Sequence, residues 1–116
     1  MAVRDIARTY KALAEPNRIR ILKMLEIRPL CVCEITEVLQ LALSTVSKHL
    51  SILRDAGFIV DQKDGKWVNY EINDPSNQLE VGWLLTQLSQ WLADDEIIQA
   101  DAKKVKAVDR YEICKD

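Results

Sequence analysis

Apolar residues recur with helical spacing in five stretches of the chain. The first, Val3 to Ala14, carries Ile6, Tyr10, Leu13 and Ala14 at that spacing and predicts a helix. Glu15-Pro16-Asn17 interrupts it. Pro16 suits the opening turn of a second helix, where no backbone donor is required. Ile19, Leu22 and Leu25 give that helix one apolar face before Pro29 breaks the pattern. A short third helix starts near Cys31 to Cys33 and carries Ile35, Val38 and Leu39. Gln40 to Leu43 leads into a fourth, from about Leu43 to Ala56, where Val46, Leu50 and Leu53 form an i, i+4, i+7 stripe. Gly57 stands where a left-handed residue would end it.

The pattern then changes. Phe58 to Lys63 and Lys66 to Ile72 read as strands, with Asp64-Gly65 as the two-residue turn between them. Asp74-Pro75-Ser76 closes this unit. A long helix is predicted from near Asn77, bearing Val81, Trp83, Leu84, Leu85, Leu88, Trp91 and Leu92. Residues 94–116 are polar, with a weaker helix expected around Ile98, Ala102 and Val105. The expected architecture is mainly α with a β-hairpin: a winged helix-turn-helix. Residues 1–93 would form the main domain and 94–116 a polar C-terminal extension.

Bulk properties change this picture little. A chain of 116 residues, 48% hydrophobic and 29% charged, is expected to form one globular domain. It has no membrane-length apolar run and no apolar N-terminal signal, so a cytoplasmic protein is expected. Three cysteines in a reducing compartment argue against a disulfide framework and leave metal or redox chemistry open. The net charge of −2 is unusual for a nucleic-acid binder, but it is unevenly spread. Residues 1–70 hold 11 basic and 8 acidic side chains, whereas residues 71–116 hold 5 and 10. A basic face is therefore permitted.

In a helix-turn-helix the second helix lies in the major groove. With Val46, Leu50 and Leu53 facing inward, Ser44, Lys48 and Ser51 point outward, flanked by Thr45 and Ser47. Short hydroxyls and one ammonium suit close approach to base edges and phosphates. A serine-rich outer face on an ordinary amphipathic helix is the plainer reading of this segment alone. The preceding helix and the following hairpin favour double-stranded DNA as partner. Lys63 and Lys66 flank the hairpin tip and are candidates for phosphate contact. His49 lies nearer the core side, and Trp67 and Tyr70 read as sheet packing.

The runs Leu41-Ala42-Leu43-Ser44-Thr45-Val46-Ser47-Lys48-His49-Leu50, Leu53-Arg54-Asp55-Ala56-Gly57 and Asp64-Gly65-Lys66-Trp67-Val68-Asn69-Tyr70 resemble the ArsR/SmtB family of bacterial metal-sensing repressors. Ala12 to Leu22 resembles that family's opening segment, and the likeness covers about residues 3–93. It implies a homodimer that blocks a promoter and leaves on binding an ion. Ala42 departs from the serine that commonly caps the recognition helix, so a cap must come from elsewhere. Apolar residues of the first and long helices, Ile6, Tyr10, Trp83, Leu84, Leu88 and Trp91, are the candidate dimer interface.

Leu30-Cys31-Val32-Cys33-Glu34 carries the second candidate chemistry. Thiolates select soft ions, and a helix N-terminus is expected to lower thiol pKa values. Residues i and i+2 of a regular helix point about 200° apart, so capture of one ion by both sulfurs would require the third helix to distort. Two small semi-buried hydrophobes are the plainer reading. The stretch is similar to the Cys-Val-Cys site of arsenic-responsive family members, which implies arsenic(III) or antimony(III) as inducer. That pattern often adds a third cysteine where this chain has Thr36. The third ligand is then Cys114, a small-molecule thiol, or none, and Cys114 in its polar tail also reads as an incidental exposed thiol. Val81 to Ala93 holds neither His nor Asp, which argues against the family's zinc site. Cadmium- and lead-responsive relatives add cysteines in an extended N-terminal arm that is short and cysteine-free here. A cadmium/lead-responsive or thiol-redox-responsive repressor is the alternative. With one His and no phosphate-cradling glycine loop, no enzyme or organic cofactor is expected.

Overall fold

The computed structural model describes residues 2–114, and among these seven helices and three short strands follow one another. They are α1 (Val3–Leu13), α2 (Pro16–Leu25), β1 (Leu30–Cys31), α3 (Val32–Leu39), α4 (Leu43–Asp55), β2 (Ile59–Asp64), β3 (Trp67–Ile72), α5 (Leu79–Gln90), α6 (Glu96–Ala107) and α7 (Arg110–Ile113). Pro16 opens α2, and the Glu15 side chain accepts from Arg18 N–H at 3.1 Å as its N-cap. The Arg18 guanidinium reaches back to the carbonyls of Ala12 at 2.7 Å and Lys11 at 3.1 Å. It thus satisfies acceptors at the open end of α1.

α3 and α4 form the helix-turn-helix. Gln40, with φ 56°, ends α3 in the left-handed conformation, and Val46, Leu50 and Leu53 point α4 inward as the stripe predicts. They pack with Ile21, Leu22, Ile35, Phe58 and Ile59 in one buried core. No side chain caps α4 at Ala42.

The sheet differs from expectation in two respects. It has three antiparallel strands in the order β1-β3-β2, because Leu30 and Cys31 pair with Tyr70 and Asn69. The hairpin also pairs Asp64 with Trp67, so its two-residue loop is Gly65-Lys66, one position later than Asp64-Gly65. Gly65 has φ 61° and Lys66 is not left-handed, the pattern of a turn that needs glycine at its first central position.

α5 begins at Leu79, two residues later than expected, and Trp91 lies just beyond its end. Gly82 lets α5 approach the Asp74-Pro75-Ser76 turn: a Cβ there would overlap the Pro75 carbonyl oxygen. Gly82→Ala would gain about 1 kcal/mol of helix propensity. The backbone overlap outweighs that gain, and we expect a net loss of about 1–2 kcal/mol in urea unfolding. An unchanged or stabilised variant would contradict this contact.

Residues 96–114 return to the same core. Val105 is fully buried, and Asp101 receives a two-pronged ion pair from Arg20 of α2, at 2.8 and 2.9 Å. No helix among the described residues is long and apolar enough to cross a membrane.

Candidate functional site

Cys31 ends β1 and is the N-cap of α3, with extended backbone (φ −87°, ψ 166°), while Cys33 is the second residue inside the helix. The 200° helical separation therefore does not apply to this pair. Their sulfurs lie 3.5 Å apart beside a regular α3, so the expected distortion is not needed for both to face one point. This corrects the route from ion to operator inferred from spacing alone.

Cys114 joins them. The chain turns back after α6, and the single turn of α7 carries Cys114 to 3.8 Å from the Cys31 sulfur. Cys114 is buried, not an exposed tail thiol. Cys33 and Cys114, 81 residues apart in sequence, are joined by a disulfide with a Cα–Cα distance of 6.0 Å. The sequence argued against a disulfide framework, and this single link exists because the fold returns the C-terminal turn to α3. The sulfur atoms of Cys31, Cys33 and Cys114 all lie within 4.8 Å of one another. Soft, clustered, largely buried sulfur donors suit a thiol-seeking ion once Cys33 and Cys114 are reduced. A disulfide and an ion are mutually exclusive occupants of those two sulfurs.

Glu34 organises the cluster. Its side chain is 2% exposed. Oε1 accepts from Cys31 N–H at 3.0 Å and from Arg110 at 2.9 Å, and Oε2 pairs with Arg28 at 3.1 Å. Burial by itself would push this carboxyl up. The Cys31 amide and thiol, together with Arg28, outweigh burial and hold it below the usual carboxylate range. The Cys31 thiol moves the other way. Burial pushes it up and the Glu34 carboxylate adds to this, outweighing the Glu34 backbone amide and Arg110, which pull it down; the net rise is opposite to the lowering expected from sequence. The Cys31…Glu34 spacing of a capping box was present in the sequence and is the signal that would have singled Glu34 out. Arg28 and Arg110 had no such signal.

The predicted DNA-facing side chains share one side of α4. Ser44, Thr45, Ser47 and Lys48 are exposed, and Ser51 is half-buried. Lys63 and Lys66 are exposed at the hairpin end. His49 turns to α2 instead: its Nδ1 accepts from the Arg18 guanidinium at 3.2 Å, which leaves the proton on Nε2. Burial pushes its pKa down and Arg18 and Lys48 add to this, against Glu15. Of the apolar candidates on α1, on α5 and just beyond it, Ile6, Tyr10, Trp83 and Trp91 are exposed. Leu84 and Leu88 are spent inside the protomer, 7% and 6% exposed, because they point to the same side as Val81 and Leu85.

Residues 15–60 match the family model for the bacterial regulatory protein arsR family. The arsenical resistance operon repressor of Escherichia coli (strain K12) is 32% identical over 104 residues, covering 87% of this chain and 79% of that protein. A cadmium resistance transcriptional regulatory protein CadC homolog of Staphylococcus aureus is 34% identical, covering 60% of this chain and 59% of its own length. The homodimeric winged helix-turn-helix DNA-binding domain Mb0332 from Mycobacterium bovis superposes with a TM-score of 0.65 at 29% identity, covering 81% of this chain and 82% of that one. The first two are named as a repressor and a transcriptional regulatory protein, and the third shares this chain's winged helix-turn-helix fold. The chain belongs to the arsR family of bacterial regulatory proteins and is a winged helix-turn-helix transcriptional repressor, not an enzyme.

Proposed function

We propose that this repressor binds a palindromic operator as a homodimer and leaves it on capturing arsenite or antimonite through Cys31, Cys33 and Cys114. The observation that carries the reading is the convergence of the chain's three cysteines within 4.8 Å. In the exchange each thiol gives its proton to a hydroxide of the trivalent acid, so three sulfur bonds form, three waters leave and no electrons move. Relatives named for arsenical resistance support the metalloid over cadmium or lead. We assign the protein to the cytosol, whose reducing poise keeps such thiols free. Residues 1–93 would carry DNA binding and dimerisation, with the extension supplying the third thiol.

One observation favours a second reading: the Cys33–Cys114 disulfide. A peroxide that takes two electrons and two protons from these thiols would make the same link and remove two of the three ligands. Anisotropy of operator-bound, fully reduced protein separates the two readings. Release by arsenite or antimonite is expected. Release by peroxide with indifference to arsenite would favour the redox switch.

For the operator surface, Lys48→Ala and Ser47→Ala are expected to weaken binding by about 1–3 kcal/mol each if they read bases, with fold intact. Lys66→Ala should weaken all sequences alike and flatten the salt dependence. Wild-type affinity in both α4 variants would move the DNA surface elsewhere. For assembly, exposed Ile6, Tyr10, Trp83 and Trp91 are expected to be covered across a two-fold axis. A stable monomer in sedimentation at micromolar concentration would contradict this.

A further inference from the structure

The thiol cluster is physically attached to the wing. Cys31 pairs with Asn69 in the sheet, so the first sulfur stands on the wing's own edge strand. A second attachment runs through α7. Arg110 opens this one-turn helix, and its carbonyl accepts from Cys114 N–H at 2.9 Å. Its guanidinium donates to Glu34 Oε1 at 2.9 Å and to Asn69 Oδ1 at 2.6 Å, and it lies 4.0 Å from Asp64 at the hairpin end. The same group sits 5.0 Å over the Trp67 ring, and the Tyr111 ring meets Trp67 edge-on at 5.0 Å. One short helix thus holds a sulfur of the cluster at one end and grips the wing at the other.

We propose that Arg110 is the positioning residue through which the state of the thiol cluster sets the wing. The inference rests on the reading of Cys31, Cys33 and Cys114 as the inducer site. With α7 docked the three sulfurs are together and Arg110 ties the wing to the buried Glu34 carboxylate. With α7 undocked, Cys114 leaves the cluster and the wing keeps only its strand pairing and the Arg54–Asp61 ion pair to α4, at 3.2 Å. An ion that needs all three sulfurs favours the docked state. The docked wing is the one that fits DNA poorly, so capture releases the operator by the same factor that operator opposes capture. This two-state element replaces the α3 distortion that sequence spacing suggested, since α3 is regular with the thiols gathered.

The test uses reduced full-length protein and arsenite as the probe, in the wild type, Arg110→Met and Asn69→Ala. Methionine keeps contact with Trp67 but has no guanidinium, and Asn69→Ala removes the wing acceptor should Arg110→Met fold poorly. Three readouts are taken: remaining titratable thiols, operator affinity, and hydrogen exchange of wing amides 60–69. The wild type is expected to lose its thiols, gain wing protection and lose operator affinity by roughly 5- to 150-fold. Both variants are expected to lose thiols equally, show no gain in wing protection, and lose affinity less than about threefold. Full thiol loss with wild-type release in the variants overturns the coupling while leaving the site intact. Failure of the wild type to lose thiols overturns the site reading, and the coupling with it.

Discussion

Operator-bound protein carrying Cys31→Ser and Cys33→Ser is expected to stay on DNA when arsenite is added. Serine keeps the size of each side chain but supplies no soft donor, and the remaining Cys114 offers a single sulfur that cannot chelate. DNA affinity should be unchanged, because α4 and the hairpin end contain neither residue. The lost response is the whole coupling of about 1–3 kcal/mol, a factor of roughly 5 to 150 in operator affinity. Cys114→Ser is expected to be intermediate. It leaves two sulfurs 3.5 Å apart, which should still take up arsenite at higher concentration, but with no sulfur on α7 to draw that helix in, capture should release the operator only in part. Anisotropy titrations of all three proteins check the order. Undiminished release in the double variant would mean that the inducer binds elsewhere.

Glu34→Ala is expected to be the most destabilising change near the site. The carboxylate is buried and faces two guanidiniums, those of Arg28 and Arg110. Arg28 also donates to the carbonyls of Val105 and Val108 at 3.1 and 3.3 Å, so the same cluster fastens the end of α6. Removing the anion leaves two cations converging on an empty space and an unpaired Cys31 amide. Breaking a buried pair in this way costs about 3–5 kcal/mol. Both arginines keep some contact with water, so a value at the lower end, about 3 kcal/mol, is expected. Glu34→Gln restores the acceptor for the Cys31 amide but not the charge, and should lose less. Urea unfolding measures both, and a cost below about 1 kcal/mol for the alanine variant would remove Glu34 from its organising role.

The local parts of this fold could be read from sequence because they depend on near neighbours. The Val46, Leu50, Leu53 stripe, Pro16 at the start of α2 and Gly57 after α4 each express a constraint spanning a few residues. What was missed depends on contacts between distant residues. β1 is only two residues long and exists through its pairing with β3, about forty positions away. That pairing is also why Cys31 stands outside α3, which periodicity alone could not place. Asp101 reads as a surface residue until Arg20 meets it from α2. Leu84, Leu88, Trp83 and Trp91 all count as large apolar positions in the sequence pattern, and only the packing of the α5 segment decides which pair is buried. The position of Cys114 follows from two helices folding back, so no spacing in its own segment announces it.

The central claim is that one trivalent metalloid per protomer is held by all three cysteines and that this releases DNA. The most direct measurement counts titratable thiols in the reduced, operator-bound protein while arsenite is added and operator release is followed in the same sample. The chain has three cysteines, so the count admits no other source. The expected result is loss of all three thiols at one arsenite per protomer, in step with release. Release completed while any of the three thiols stays fully reactive would contradict the account.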